Sequence, residues 1–267
     1  MVDAFSLYWR LVGAHIRSQL QYRISFALDL FGMFAISFLD FIVVLIIFSN
    51  VPRLGAFSVE EVALLYGTSG LSFAFADLVV GHLDEFNERI RTGTFDLLLI
   101  RPRGTLFQVI ASDFHLRRLG KATQSLLVLG YAFSSLDISW NVGRVAAVPI
   151  MVICGTGIFI SVWLFMICIV FWSVEGRETA NAFTYGGHFL TQYPIDIYAS
   201  WLRRLLAYLI PMAFVSYFPA LYVLDKDDPL GLPSFLRFSS PLAAALAATA
   251  AALMWRYAVR HYRSAGG

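Results

Sequence analysis

Few residues in this chain could do chemistry, and their spacing limits which chemistry is open. Asp29 and Asp40 stand 11 residues apart in one long apolar run, which puts them within roughly 20° of each other on a helix. A carboxylate at the centre of a bilayer costs about 2.5–3.5 kcal/mol on insertion scales, so this face is expected to turn into the assembly. There it could line a polar translocation path or form a proton site; the plainer alternative is a hydrogen-bond or ion-pair partner of another helix. Asp77, near the end of the second apolar run, reads as a packing or surface-reaching carboxylate, and His188 beside Gly187 as a packing residue, with the lining of a path as the alternative. No Gly-x-x-x-x-Gly-Lys-Ser/Thr phosphate loop is present, and neither His-Glu-x-x-His nor Gly-x-Ser-x-Gly occurs. The five histidines are scattered, so no metal site is expected. No catalytic residue is assigned, and no enzyme activity is expected of this chain by itself.

The most informative stretch is DEFNERIRTGTFDLLLIRPRG, residues 84–104. Three acids, Asp84, Glu85 and Glu88, precede two bases, Arg89 and Arg91; Gly93 breaks the pattern, and Phe95-Asp96-Leu97-Leu98-Leu99 follows, stopped by Arg101-Pro102. The pattern predicts a short amphipathic helix, a glycine break and a second apolar turn. An exposed apolar cluster among charges marks a docking site for another protein; the alternative is a solvated loop whose arginines reach the membrane surface.

The elements that must hold these residues follow from composition. Of 267 residues, 58% are hydrophobic and 14% charged, with a mean hydropathy of +0.69. Soluble domains run near 45–50% apolar and about 25% charged, so a soluble enzyme is excluded, as is disorder. A net charge of +2 gives no reason to expect nucleic acid as a partner. Spanning helices need about 20 apolar residues, and the long continuous runs differ from the short alternating segments of a β-barrel. Cys154 and Cys168 lie 14 residues apart in one segment, roughly 21 Å along a helix, too far to pair.

The N-terminal stretch 1–23, carrying Phe5, Leu7, Trp9, Arg10, His15 and Arg17, reads as an amphipathic surface helix rather than a signal peptide. Spans are expected at about Ile24–Phe48, from Ser58 to Gly81 behind a Ser58-x-x-Glu61 capping box, from Leu116 to Leu136, at Gly143–Trp172, and at Pro241–Val259. The third must borrow Arg117, Arg118 and Lys121, reaching for the surface, to attain spanning length. Between Glu178 and Lys226 one net crossing is needed. Either Ala180–Tyr193 is a short fifth span followed by a re-entrant pair of helices broken at Pro211 and Pro219, or Leu205–Leu224 is the fifth span; the first is preferred. Placing both termini inside puts 14 Lys and Arg on the inner side (Arg10, Arg17, Arg23, Arg89, Arg91, Arg101, Arg103, Arg117, Arg118, Lys121, Arg177, Arg256, Arg260, Arg263) and four outside (Arg53, Arg144, Lys226, Arg237), with Arg203 and Arg204 unassigned. The positive-inside rule then gives cytoplasmic termini. The expected fold is an all-α polytopic membrane protein of about six transmembrane helices, with residues 1–267 forming a single transmembrane domain.

At this point the residues resemble a known family. IRTGTFDLLLIRP is similar to the loop between spans two and three of type-two ATP-binding-cassette exporter permeases, where an Arg-x-Gly-Thr/Asp-x-Asp-x-Leu-Leu-x-x-Pro run forms the coupling helix. Tyr193-Pro194, Ile210-Pro211 and Tyr217-Phe218-Pro219-Ala220 resemble the half-size drug or viologen exporter branch. The resemblance implies a permease subunit of an ATP-driven exporter in the inner (plasma) membrane. It assigns ATPase coupling to Arg91, Gly93, Asp96, Arg101 and Pro102, with Glu85 and Glu88 beside them, and a re-entrant element to Tyr193, Pro194, Pro211 and Pro219. It implies two copies of a cytoplasmic ATPase that hold ATP and Mg, so this chain carries no cofactor, and a second permease chain, a heterodimer being favoured; membrane lipid surrounds both. The competing reading is a proton-coupled secondary carrier or channel working through Asp29 and Asp40; no inverted repeat supports it. A membrane enzyme or scaffold lacks a paired catalytic constellation.

Overall fold

The computed structural model describes residues 4–173, 176–228 and 231–263; the side chain of Phe5 and all of Glu175 lie outside this description. Helix α1 (Ala4–Gln21) turns at Tyr22 into α2 (Arg23–Asn50). Pro52 and Gly55 end α2, and a single antiparallel bridge between Leu54 and Phe57 closes the turn. Ser58 then caps α3 (Val59–Val80): its backbone N–H donates to Glu61 Oε2 at 2.8 Å while its hydroxyl accepts from the Glu61 N–H at 3.5 Å, the reciprocal box expected from the sequence. After the short helices of the 84–104 region come α7 (Leu119–Ser135), α8 (Val142–Ile167, extended by a 3₁₀ turn to Phe171) and α9 (Gly176–Thr191). Then follow α10 (Ser200–Arg204), a π-helical turn (Leu205–Leu209), α11 (Tyr217–Val223) and α12 (Ser240–His261). The intervening α4 (Phe86–Arg91), α5 (Asp96–Leu99) and α6 (Thr105–Ile110) are one to two turns each.

Every element among the described residues is helical apart from that bridge, and the chain is an all-α polytopic membrane protein. Arg23–Asn50, the helix beginning at Val59, Val142–Phe171 and Ser240–His261 are long and apolar enough to cross a bilayer, and the broken pair Ser200–Leu209 with Pro211–Val223 adds a fifth if it counts as one span. Helices α7 and α9, with 17 and 16 residues, fall short of that length.

Helix α3 is the centre of the bundle. Small and hydroxyl residues let its neighbours approach: Gly67 faces Leu129 and Gly70 faces Ser125 of α7, Ser72 donates to Val152 O of α8 at 3.3 Å, and Ser69 shares a 2.6 Å hydrogen bond with Thr191 of α9. This is the packing by small residues and interhelical hydroxyls that works where the surroundings are as apolar as the side chains. Cys154 and Cys168 are free, buried thiols.

One expectation is overturned here. Arg118 and Lys121 do not reach for the surface; both turn inward to Asp77, at 2.7 and 3.0 Å. Asp77 is only 2% exposed, and a buried carboxylate is retained only with partners.

In the region 179–224, Tyr193-Pro194 ends α9 and leads to a turn in which Asp196 accepts a 3.0 Å bond from the Ala56 N–H of the 51–57 loop. The chain then runs through α10 and the π turn, breaks at Ile210-Pro211 with a 70° change of direction, and leaves through α11, where Pro219 sits in the first turn. Lys226, just beyond, donates to Ala56 O at 2.8 Å and pairs with Glu61 at 2.6 Å. The chain therefore enters the first limb and leaves the second beside the 51–57 loop.

Candidate functional site

The 84–104 region lies at the other end of the bundle, and its mounting can be built residue by residue. Below Asp77 the chain passes through a 3₁₀ turn, Gly81–Glu85, pinned where the His82 ring meets Val109 O at 2.8 Å. Asp84 accepts two hydrogen bonds from other helices, from the Trp163 indole of α8 at 3.1 Å and from the Tyr185 hydroxyl of α9 at 2.6 Å. On α4, Phe86 and Ile90 sit four residues apart on one face and are buried. Glu88 and Arg91 hold each other on the exposed face through two bonds of 2.9 and 3.0 Å.

Gly93 adopts φ +69°, which glycine accepts without strain, and this reversal sends Phe95 back under α4. Phe86 and Phe95 then meet the ends of two long helices. Their ring centroids lie 5.5 Å from each other, 5.5 and 5.3 Å from Phe171 beyond α8, and 5.7 and 6.4 Å from Trp255 of α12. Tyr262 closes the cluster 5.0 Å from Phe95. Edge-to-face pairs of this kind are worth about 0.5–1.5 kcal/mol each beyond their buried area.

The rest of the loop faces outward. Leu97 is 53%, Leu99 42% and Ile100 81% exposed, and Arg101, Pro102 and Arg103 continue the exposed surface. Gln108 fixes this crest from behind, donating to Leu98 O at 2.9 Å and Arg103 O at 2.7 Å. Glu85, Glu88, Arg91, Arg101 and Pro102 are all exposed, with Gly93 and Asp96 half-buried at the bends. The coupling residues singled out in this loop are thus exposed or half-buried. The arrangement suits recognition: apolar side chains ringed by cations, on a base that cannot move without moving α8, α9 and α12.

The structure does not bring Asp29 and Asp40 together. They lie about 16 Å apart along α2. Asp40 is exposed on the mid-helix, whereas Asp29 lines a cavity of about 360 Å³ between α1 and the 113–117 loop. There Asp113 lies 3.7 Å from His15 and 3.6 Å from His115. Burial pushes the His115 imidazole below its ordinary value, against the opposing pull of the Asp113 carboxylate. Among the described residues no cluster of His, Cys, Asp or Glu could hold a metal ion.

Sequence reasoning singled out Asp84 and Phe95 but missed the residues that anchor them: Trp163, Phe171, Tyr185 and Trp255. Only Phe86 carried a local signal, its four-residue spacing from Ile90. Trp163, Phe171, Tyr185 and Trp255 are joined to the loop across 70 residues or more, and no local pattern announces them.

The family described as ABC-2 family transporter protein matches residues 34–266, nearly the whole chain and all of the 84–104 loop. The chain belongs to that family. No curated protein matches it, and no solved structure does. An ABC-2 family transporter protein is a membrane permease component of an ABC transporter and associates with ABC ATPase subunits. The sequence contains no phosphate loop, which agrees with such a component.

Proposed function

We propose that this ABC-2 permease forms half of the translocation path of an ATP-driven exporter, and that the 84–104 loop is where its ATPase docks and pushes. The observation that carries this reading is the pairing of an exposed crest, Leu97 to Arg103, with a buried base, Phe86 and Phe95, packed against the ends of α8 and α12. A partner that grips the crest acts on the spans through that base and through Asp84. Two copies of a cytoplasmic ATPase bind ATP and Mg; Arg91, Gly93, Asp96, Arg101 and Pro102 belong to the contact and its hinge, with Glu85 and Glu88 at the margin.

In this reading the chain crosses the inner membrane six times with both termini in the cytoplasm, α7 and α9 being short crossings beside α3. The charge asymmetry of 14 against four supports the orientation. The broken pair α10–α11 is re-entrant, supported by its entry at Asp196 and its exit at Lys226 both meeting the 51–57 loop. A second permease chain covers α2. Only 11% of the apolar stretch of α2 is buried, and Asp40 lies exposed on it, a costly arrangement against lipid alone. The likeness of Tyr193-Pro194 and Tyr217–Ala220 to the drug and viologen exporter branch favours a related, non-identical partner and outward transport.

The test is transport by Gly93→Pro, and by Arg91→Glu combined with Asp96→Lys. Both should insert and assemble yet lose ATP-driven transport. Normal transport by either would refute the role of the loop.

A further inference from the structure

The end of the bundle that carries the 51–57 loop holds a cationic pocket continuous with two apolar grooves. The pocket, about 270 Å³, is lined by Ser200, Arg203, Arg204 and Tyr208 on α10 and the π turn. Among the described residues no carboxylate pairs with either arginine. Ala207 and Tyr208 also border a groove of about 410 Å³ running down between the π turn and α12, past Leu242 and Leu246. Leu209, Pro211, Ala247 and Ala250 are shared with a third space of about 360 Å³ that reaches Phe165 and Phe183.

The cause of the groove is local. The break at Ile210-Pro211 swings the chain by 70°, so the π turn cannot lie flat on α12, and the alanines of α12 leave the gap unfilled. The order of chemistry along it is that of an amphiphile: two guanidiniums and a hydroxyl at the rim, then aliphatic walls. From Leu242 to Ala250 the groove follows α12 for about 12 Å, within the roughly 15 Å that one leaflet of a 30 Å hydrocarbon core supplies. Trp201, 67% exposed, and Tyr208, 70% exposed, flank the rim as interfacial aromatics do. Guanidinium forks match phosphate oxygens better than any other side chain.

We infer that this is a binding site for one anionic phospholipid, its phosphate between Arg203 and Arg204 and an acyl chain in the groove along α12. The inference needs the membrane setting and not the export reading, and its test measures binding rather than transport.

The full chain, purified in mild detergent with whatever partners it retains, would be exposed to equal amounts of phosphatidylglycerol and phosphatidylcholine and examined by native mass spectrometry. The wild-type chain should retain phosphatidylglycerol preferentially. Arg203→Gln with Arg204→Gln should lower that retention by more than about tenfold, since the loss of even one charge-assisted contact is worth about that much. Arg203→Lys with Arg204→Lys should keep part of it, and Ala247→Phe, which fills the groove but leaves the arginines, should also reduce it. Equal retention of both lipids by the wild type would overturn the inference, as would a phosphatidylglycerol preference that survives both the Gln and the Phe variants. Disulfide capture of a second permease chain at Leu246→Cys would assign the groove to protein and overturn it too. If the Gln variant fails to express, the Lys and Phe variants decide.

Discussion

Helices α2 and α3 are consecutive spans with opposite lives. The apolar stretch of α2 is the more hydrophobic of the two and only 11% buried, whereas that of α3 is 83% buried. In water the more apolar helix would be the inner one. Here the order is reversed, because lipid rewards apolar surface and protein neighbours reward closeness and hydrogen bonds. Large side chains, Ile24, Leu28, Phe31, Ile36 and Leu39, point outward from α2, while α3 presents Gly67, Thr68, Ser69, Gly70 and Ser72 to its neighbours, all buried. Smallness and modest polarity mark the centre of this protein, and greasiness marks its rim.

The sharpest break in that contrast is at the carboxylates. Asp77→Ala on α3 strands Arg118 and Lys121 without their partner and should cost about 3–5 kcal/mol, read as a large fall in the unfolding midpoint of the purified chain. Asp29→Asn on α2 removes no ion pair to a described residue and should leave the midpoint nearly unchanged. Equal effects would mean that the two helices are not distinguished by burial.

Glycines give the next contrast. A side chain at Gly67 would begin 2.7 Å from Leu129 Cγ, and one at Gly120 of α7 would press on the α2 backbone, 2.9 Å from Phe34 N. Gly67→Val and Gly120→Val should each destabilise by about 1–3 kcal/mol. Gly32 of α2 has nothing within 4 Å, so Gly32→Leu should be close to neutral in the isolated chain. If a second permease chain covers α2, the same Gly32→Leu change should weaken permease pairing instead, measured by the ratio of the two chains after co-purification.

A smaller effect lies where α1 and the 113–117 loop support the start of α2. His115 is held below the ordinary imidazole value mainly by burial. Folded protein therefore binds fewer protons than unfolded chain as pH falls through the ordinary value of about 6.5, and stability drops in that direction. His115→Gln should remove part of the fall in unfolding midpoint between pH ~7.5 and ~5.5, leaving the midpoint at the higher pH little changed.

Much of this was legible in the residues alone. The capping box at Ser58 and the breaks at Gly93 and Pro211 are local signals, and each lies where its chemistry placed it. The exposed face of the 84–104 loop was legible for the same reason, since Glu88 and Arg91 share one side of a short helix and Phe86 and Ile90 the other. What could not be read is which helices meet. Arg118 and Lys121 looked like surface-seeking cations because their partner, Asp77, lies more than 40 residues away. The base of the loop stayed hidden because Trp163, Tyr185 and Trp255 carry no sign of the residues they touch. The spacing of Asp29 and Asp40 fixes their side of one helix but not their surroundings: Asp29 lines the cavity beside α1, and Asp40, about 16 Å along the helix, is exposed.

The central claim is that the crest from Leu97 to Arg103 grips an ATPase while Phe86 and Phe95 transmit its movement. The most direct test pairs Leu97→Asp with Ile100→Asp, two exposed positions whose change should not disturb folding, and measures ATPase subunit retained per permease chain after gentle extraction. The account predicts that the inserted, monodisperse permease loses its ATPase. Full retention of the ATPase together with undiminished ATP-driven transport would contradict it.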